Sequence, residues 1–138
     1  MTLADGNFAE RFQNIARASG WHPPPRLAQA LEMWEEFVRE CADGYEFDLS
    51  EYLNDLSVRQ LLQQVLDDAE AKRTETYAPF AQRVRGIDDR FREVVSEGPL
   101  IRPGSDHWWD RQVPPHGAAE FVEDVRERHS VDLRVVDD

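Results

Sequence analysis

The sequence predicts a mainly α-helical fold: one compact multi-helix domain, residues 1–138, with about five helices and at most a small β element near the C-terminus. Apolar residues recur at spacings of three and four through most of the chain, which is the period of an α-helix. Stretches rich in Gly and Pro at residues 20–25 and 98–104 interrupt this pattern, and only the last eight residues alternate as a strand does. A length of 138 residues suits a single domain with its own core.

The predicted central helix covers residues 76–97 and is the longest helical segment. It spans about six turns, and Gly98-Pro99 ends it. Because a stripe of aromatic and β-branched residues needs several partners to cover it, we expect the other helices to pack around this one. The stripe consists of Phe80, Val84, Ile87, Phe91, Val94 and Val95.

Two helices are predicted before residue 45. The first covers residues 7–19, where Asn7 begins a pattern that resembles a capping box. Three prolines in residues 21–25 cannot continue a helix, so we expect that segment to form an extended strap. The second helix covers residues 27–43 with one apolar face, and Gly44 occupies the position of a C-terminal cap.

The next segment, residues 45–66, carries two capping-box patterns nine residues apart. They are Asp48-x-x-Glu51 and Ser57-x-x-Gln60. Two helix starts at this distance predict a short helix, a tight corner and a longer helix. A polar loop then leads into the central helix.

The chain changes character after the central helix. Residues 99–117 contain four prolines and form a predicted loop that is long for a compact domain. A helix at residues 118–129 follows, and the final segment alternates as a strand does. The nearby candidates to pair with that strand are residues 100–101 and 45–47. The alternating residues are Val131, Leu133 and Val135.

The charge balance narrows the classes of partner. The chain has 16 basic and 28 acidic residues, a net charge of −12. Such a charge repels phosphate backbones and anionic lipids, so we expect no nucleic-acid partner and no membrane partner. No apolar run approaches the length of a membrane span, and we expect a cytoplasmic protein. The charge favours a basic protein partner, or it serves solubility alone.

Motifs for common cofactors are absent from the sequence. It contains no phosphate-binding glycine loop, no paired-cysteine zinc pattern, no H-E-x-x-H and no G-x-S-x-G. We therefore expect no cofactor and no metal. The lone cysteine, Cys41, lies on the apolar face of the second helix and is expected to be a small buried residue. Fifteen arginines against one lysine indicate GC-rich codons and a bacterial source.

The polar face of the second helix is the first candidate for binding a partner. It is strongly acidic, which suits either a solvated surface or a site for a basic protein. The candidate residues are Glu32, Glu35, Glu36 and Glu40.

The second candidate lies in the long loop, where two tryptophans are adjacent. Adjacent indoles in an extended chain point to different sides, so Trp108 and Trp109 are predicted to divide between core and surface. A surface tryptophan beside Arg111 has the composition of an interface hot spot. The alternative is that both indoles cover the end of the helical core.

The same loop also supports an enzymatic or ligand-binding hypothesis. Two imidazoles and two carboxylates lie within eleven residues and are able to supply an acid and a base. In this alternative a pocket forms between the 105–116 loop and the central helix. Its candidate residues are Asp106, His107, Asp110, Arg111 and His116.

Charged residues near the central helix are expected to pair locally, at helical spacing or across the corner between helices. The predicted pairs are Asp88–Arg92, Arg85–Asp89 and Asp55–Arg59.

Three functional hypotheses follow from these features. The first is a non-enzymatic protein-interaction domain, such as an inhibitor, immunity or antitoxin-type protein that binds a basic protein. The second is the small enzyme or ligand-binding protein with its pocket at the 105–116 loop. In the third, the acidic faces only solubilise the protein, and the apolar stripes form a homodimer.

Overall fold

The computed structural model describes residues 3–136, within which six α-helices and two short strands form the fold. The prediction of a mainly helical domain with a small β element near the C-terminus is confirmed. The helices are α1 (Leu3–Ala18), α2 (Leu27–Asp43), α3 (Leu49–Asp55), α4 (Ser57–Leu66), α5 (Tyr77–Val95) and α6 (Ala119–His129). The strands are β1 (His116–Gly117) and β2 (Arg134–Val135).

Helix α5 is the central helix, starting one residue later and ending two residues earlier than the predicted range 76–97. Its predicted stripe is buried, except that Val94 is only partly covered. Helix α1 covers the N-terminal half through Phe8, whose ring lies 5.1 Å from that of Phe80. Helix α2 covers the C-terminal half, where the rings of Trp34 and Phe91 are 5.1 Å apart.

A second part of the core is aromatic and joins α2, α3 and α6. The ring of Tyr52 lies 5.2 Å from Phe37 and 5.2 Å from Phe121. Tyr45, just after α2, packs edge-on to Tyr52 at 5.4 Å. Both tyrosine hydroxyls find acceptors despite their burial, and burial raises the pKa of each above its ordinary value. These contacts fix the corner between α3 and the C-terminal helix.

The predicted C-terminal cap at Gly44 is present, and so is one of the three predicted N-terminal caps. Asp48 precedes α3, and its Oδ1 accepts the Glu51 backbone N–H at 2.9 Å. Ser57 is itself the first residue of α4, because a single buried residue, Leu56, separates α3 from α4. Helix α1 begins before Asn7, so Asn7 is not its N-terminal cap. Its side chain is exposed within the helix.

A buried ion pair joins α4 to α5. Arg59 donates from Nε and Nη2 to the two carboxylate oxygens of Asp88, each at 2.9 Å. The indole N–H of Trp34 donates to the same carboxylate at 3.0 Å, and Gln63 accepts from Arg59 Nη1 at 3.1 Å. Arg59 is 2% exposed and Asp88 4% exposed, so the pair lies inside the protein. Three helices meet at this carboxylate.

The three ion pairs that were predicted between residues close in sequence are therefore wrong. Asp88 faces inward with the buried stripe of α5 and pairs with Arg59, whereas Arg92 is exposed. Asp89 pairs with Arg92 at 3.3 Å instead of with Arg85. Asp55 accepts the Tyr45 hydroxyl at 2.6 Å, since Arg59 is turned into the core.

The small sheet also pairs differently from the prediction. Strands β1 and β2 are parallel, with His116 opposite Arg134 and Gly117 opposite Val135. Helix α6 connects them, as parallel strands require a crossover. Neither residues 100–101 nor 45–47 supply the partner strand. Leu100 instead forms an antiparallel bridge with Gln112, which folds the long loop back on itself.

The buried ion pair gives a stability prediction. We expect Asp88→Ala to lower the free energy of unfolding by about 3–5 kcal/mol, because it leaves a buried guanidinium without its partner. Urea denaturation followed by circular dichroism measures this change. The control is Asp89→Ala on the exposed side of the same helix, for which we expect a loss of about 0.5 kcal/mol or less. Equal losses in the two variants would contradict the assignment.

Candidate functional site

A groove of about 780 Å³ lies beside the exposed side of α2. The other side of the groove is formed by the end of α3 and the first residue of α4, and the strap after α1 lies at one end. Its apolar lining consists of Trp21, Met33 and Phe37. Its acidic lining consists of Glu32, Glu35, Glu36, Glu40 and Asp55.

The helical repeat explains why α2 presents carboxylates to this groove. Glu32, Glu36 and Glu40 are spaced by four residues, so they form one row along the helix. Trp34 and Cys41 lie on the opposite side, which is buried against the core. The packing of α2 onto α5 therefore orients the acidic row outward. All four predicted acidic residues of α2 lie at the groove.

Two of these carboxylates already have cationic partners. Glu35 accepts from Arg83 at 2.9 Å and from Arg90 at 3.0 Å, both on α5. The hydrogen bond from Arg90 is the main cause that lowers the pKa of Glu35, and the charge of Arg83 adds to it. Glu36 pairs with Arg39 one turn along α2. The first contact joins α2 to α5, and the second lies within α2. Both neutralise part of the negative charge that a partner would meet.

Glu40 is in the opposite situation. It is half-buried, and no residue within 3–136 forms an ion pair with it. Burial raises the pKa of the Glu40 carboxyl, and the nearby charges of Asp55, Glu36 and Glu46 raise it further. The groove thus contains a partly desolvated carboxylate among other carboxylates. Glu32 likewise has no ion pair with any residue of the described range.

The predicted tryptophan surface is mostly buried. Trp109 is 5% exposed, stacks on His107 at 4.7 Å and lies under the Arg59 guanidinium at 4.5 Å. Trp108 is half-buried, and Arg92 lies over its ring at 3.9 Å. Arg111 is exposed and donates to the Ser105 carbonyl at 2.9 Å. A partner-binding role for Trp108, Trp109 and Arg111 stays a prediction, but the indoles offer little free surface.

The loop also forms an open depression of about 530 Å³. Asp106, His107 and Asp110 line it together with Arg102, which pairs with Asp110 at 3.3 Å. The second oxygen of Asp110, Oδ1, is buried and has no hydrogen-bond partner among the described residues. Three of the five residues of the pocket hypothesis therefore lie together.

The other two residues of that hypothesis do not line the depression. His116 lies at the C-terminus of α2, where its Nε2–H donates to the carbonyls of Cys41 and Ala42 at 3.2 and 3.0 Å. Arg111 turns back to the loop backbone. Within residues 3–136 no group of three or more His, Cys, Asp and Glu side chains is arranged to hold a metal ion.

Asp55 and Trp21 are among the residues of the α2 groove that were not predicted to belong to a site. Asp55 reaches it because the corner after α3 turns the end of that helix toward α2, and no local pattern in the sequence indicates this. Trp21 is the first residue of the strap and packs against the core. It is half-buried there, and its remaining surface lines the groove.

The chain matches no protein-family model, no curated protein and no solved structure. Of the helices in the described part of the chain, none has the length and apolar character needed to cross a membrane. The α2 groove and the loop depression are the two features that bear on function.

The state of Glu40 gives a second stability prediction. Its pKa is raised in the folded protein, so the ionised carboxylate destabilises the fold at pH 7. This cost shrinks as the pH falls through the folded pKa and is absent below the unfolded pKa. We therefore expect Glu40→Gln to raise the free energy of unfolding at pH 7 by about 0.5 kcal/mol or less. Urea denaturation at pH 7 and pH 4 measures the difference, which shrinks at the lower pH.

The control for this prediction is Glu35→Gln. The pKa of Glu35 is lowered, so its ionised form stabilises the fold above its unfolded pKa, and that contribution is lost as the pH falls through the folded pKa. This variant is expected to lose stability at pH 7. A loss of stability in Glu40→Gln as well would contradict the repulsion assigned to Glu40.

Proposed function

We propose that this protein is a non-enzymatic interaction domain that binds a basic protein partner through the α2 groove. The observation that carries the proposal is the combination of unpaired carboxylates with an apolar lining in one depression. Glu32 and Glu40 have no ion pair within residues 3–136, and Met33 beside them is 37% exposed. A cationic surface with apolar side chains is complementary to both features.

The net charge supports the proposal at longer range. A value of −12 attracts a basic protein during diffusion and increases the association rate at low salt. The unpaired carboxylates of the groove are the proposed place where the attracted partner binds. Because Glu40 is partly desolvated, an ion pair formed there is stronger than one formed on a fully hydrated surface.

The apolar lining of the groove provides surface that a partner can bury in addition to forming ion pairs. Trp21 and Met33 are residue types enriched in interface cores, and both expose surface in the groove. Phe37 lies at its base with 3% exposure, so its ring is held rigidly by the core. A small, acidic, cytoplasmic domain with such a groove suits an inhibitor, immunity or antitoxin-type role against a basic protein.

The loop depression supports a second candidate function, a small ligand-binding or enzymatic site. The specific observation is the buried Asp110 Oδ1, which has no hydrogen-bond partner among the described residues, beside Arg102 and His107. A ligand with a hydrogen-bond donor is the kind of group that satisfies such an atom. Small molecules identified by mass spectrometry in the purified protein, and lost in Asp110→Ala, would favour this function.

Affinity capture with charge-matched variants tests the proposed interaction. The tagged protein is exposed to a lysate of its native source at low salt and washed with increasing salt. We expect a basic protein to be retained and then released by salt. We expect Glu32→Gln/Glu40→Gln to reduce its capture about fivefold or more, because two carboxylates of the groove are lost.

The matched control is Glu123→Gln/Glu127→Gln, which removes two exposed carboxylates from α6 and changes the net charge equally. This control is expected to capture as much as the wild type. Equal losses in both variants would assign the binding to net charge and contradict the groove. Capture of the chain's own copies alone would favour the homodimer instead.

A further inference from the structure

The α2 groove extends beyond its central part at both ends. At the C-terminal end of α2, Glu40 also lines a smaller depression of about 160 Å³ that includes Phe47. At the other end, Trp21 and Ser57 also line an open depression of about 410 Å³ along the strap. Because the depressions share these residues, the two smaller ones adjoin the α2 groove. We call this feature, which runs from Trp21 past Glu40 to Phe47, the acidic trough.

The acidic trough has an aromatic residue near each end and carboxylates between them. Phe47 is 49% exposed and leans edge-on against Tyr45 at 5.8 Å, so its ring is supported while one side stays in solvent. Trp21 is half-buried at the opposite end. An occupant that fits this surface has apolar side chains on both sides of a cationic one.

The protein itself shows how it compensates a buried carboxylate. At Asp88, a guanidinium makes two hydrogen bonds to the carboxylate, and the face of the Trp109 indole covers that guanidinium at 4.5 Å. The acidic trough has the corresponding carboxylates at Glu40 and Asp55 and aromatic surface nearby. Within residues 3–136, the cation that would complete this arrangement at Glu40 is absent.

We propose, resting on the proposed function, that the acidic trough receives an arginine side chain of the partner between Glu40 and Asp55. Apolar residues next to this arginine in the partner then lie on Met33 and Phe47. The planar guanidinium has five donors in a fixed fork, so it is able to serve two carboxylates from different helices at once. It is also less strongly hydrated than an ammonium group, so its partial burial in the trough costs less.

The existing hydrogen bonds restrict where the arginine binds. Tyr45 already donates to Asp55 Oδ2, which leaves Oδ1 as the free acceptor of that carboxylate. Glu35 and Glu36 have their own arginine partners. Glu32 has no ion pair either, but it is exposed, whereas Glu40 is half-buried and its neighbours Asp55, Glu36 and Glu46 oppose its charge. An incoming guanidinium therefore relieves the repulsion at Glu40.

A peptide titration tests this inference. The ¹⁵N-labelled full chain is titrated with acetyl-Leu-Arg-Leu-amide and with the same peptide carrying lysine or citrulline instead of arginine. We expect shifts at the backbone amides of Glu40 and Asp55, which flank the arginine, and at those of Met33 and Phe47, which contact the leucines. Citrulline has the shape of arginine without its charge, so we expect its peptide to bind about tenfold more weakly, and the lysine peptide about threefold more weakly.

Two variants assign the contact. Glu40→Gln is expected to weaken the arginine peptide about fivefold, and Glu127→Gln on α6 is expected to leave it unchanged. The ¹⁵N spectrum of each variant shows that it is folded. Citrulline or lysine peptides that bind as tightly as arginine, or shifts confined to other surfaces, would overturn the inference.

The result is separable from that of the capture experiment. If the arginine peptide does not bind the trough while partner capture still depends on Glu32 and Glu40, the arginine inference fails and the proposed function stands. If capture is also insensitive to those residues, both fail.

Discussion

The buried pair of Arg59 and Asp88 is the interaction on which the arrangement of the helices depends. A carboxylate inside a protein is costly unless donors satisfy both of its oxygens, and here the donors come from α4 and from Trp34 of α2. The same guanidinium needs cover, which Trp109 of the long loop provides. One carboxylate on α5 thus fixes two helices and, through the indole, the loop after α5. Sliding any of these elements would leave a buried charge unsatisfied.

The position of the acidic trough is a consequence of this arrangement. Because Trp34 holds one side of α2 against Asp88, the row of Glu32, Glu36 and Glu40 is left on the outer side. The contacts of Glu35 with Arg83 and Arg90 fasten the edge of α2 to α5. The trough is therefore built on a rigid helix, which suits a binding surface better than a loop does.

Most of the helices and the acidic face of α2 could be predicted, because both depend on spacing within one segment. The stripe of α5 and the cap at Asp48 are local in this sense. The pair of Arg59 and Asp88 joins residues 29 apart in the chain, and helical spacing instead favoured Arg92. A signal was present, since Asp88 lies between Ile87 and Phe91 on a stripe that had to be buried. The arrival of Asp55 at the trough depends on a tertiary corner that no local pattern indicates.

The acidic composition has two possible reasons, solubility and the binding of a partner. The contrast between Asp88 and Glu40 distinguishes them. Exposed carboxylates such as Glu123 and Glu127 on α6 supply negative charge without loss of hydration. Glu40 supplies the same charge at a half-buried position where burial and three carboxylates oppose its ionisation. Solubility alone does not require that cost, and the fold shows at Asp88 that it can compensate a carboxylate with arginine. The proposed partner, which brings a cation to the trough, accounts for a carboxylate that the fold leaves uncompensated beside exposed apolar surface.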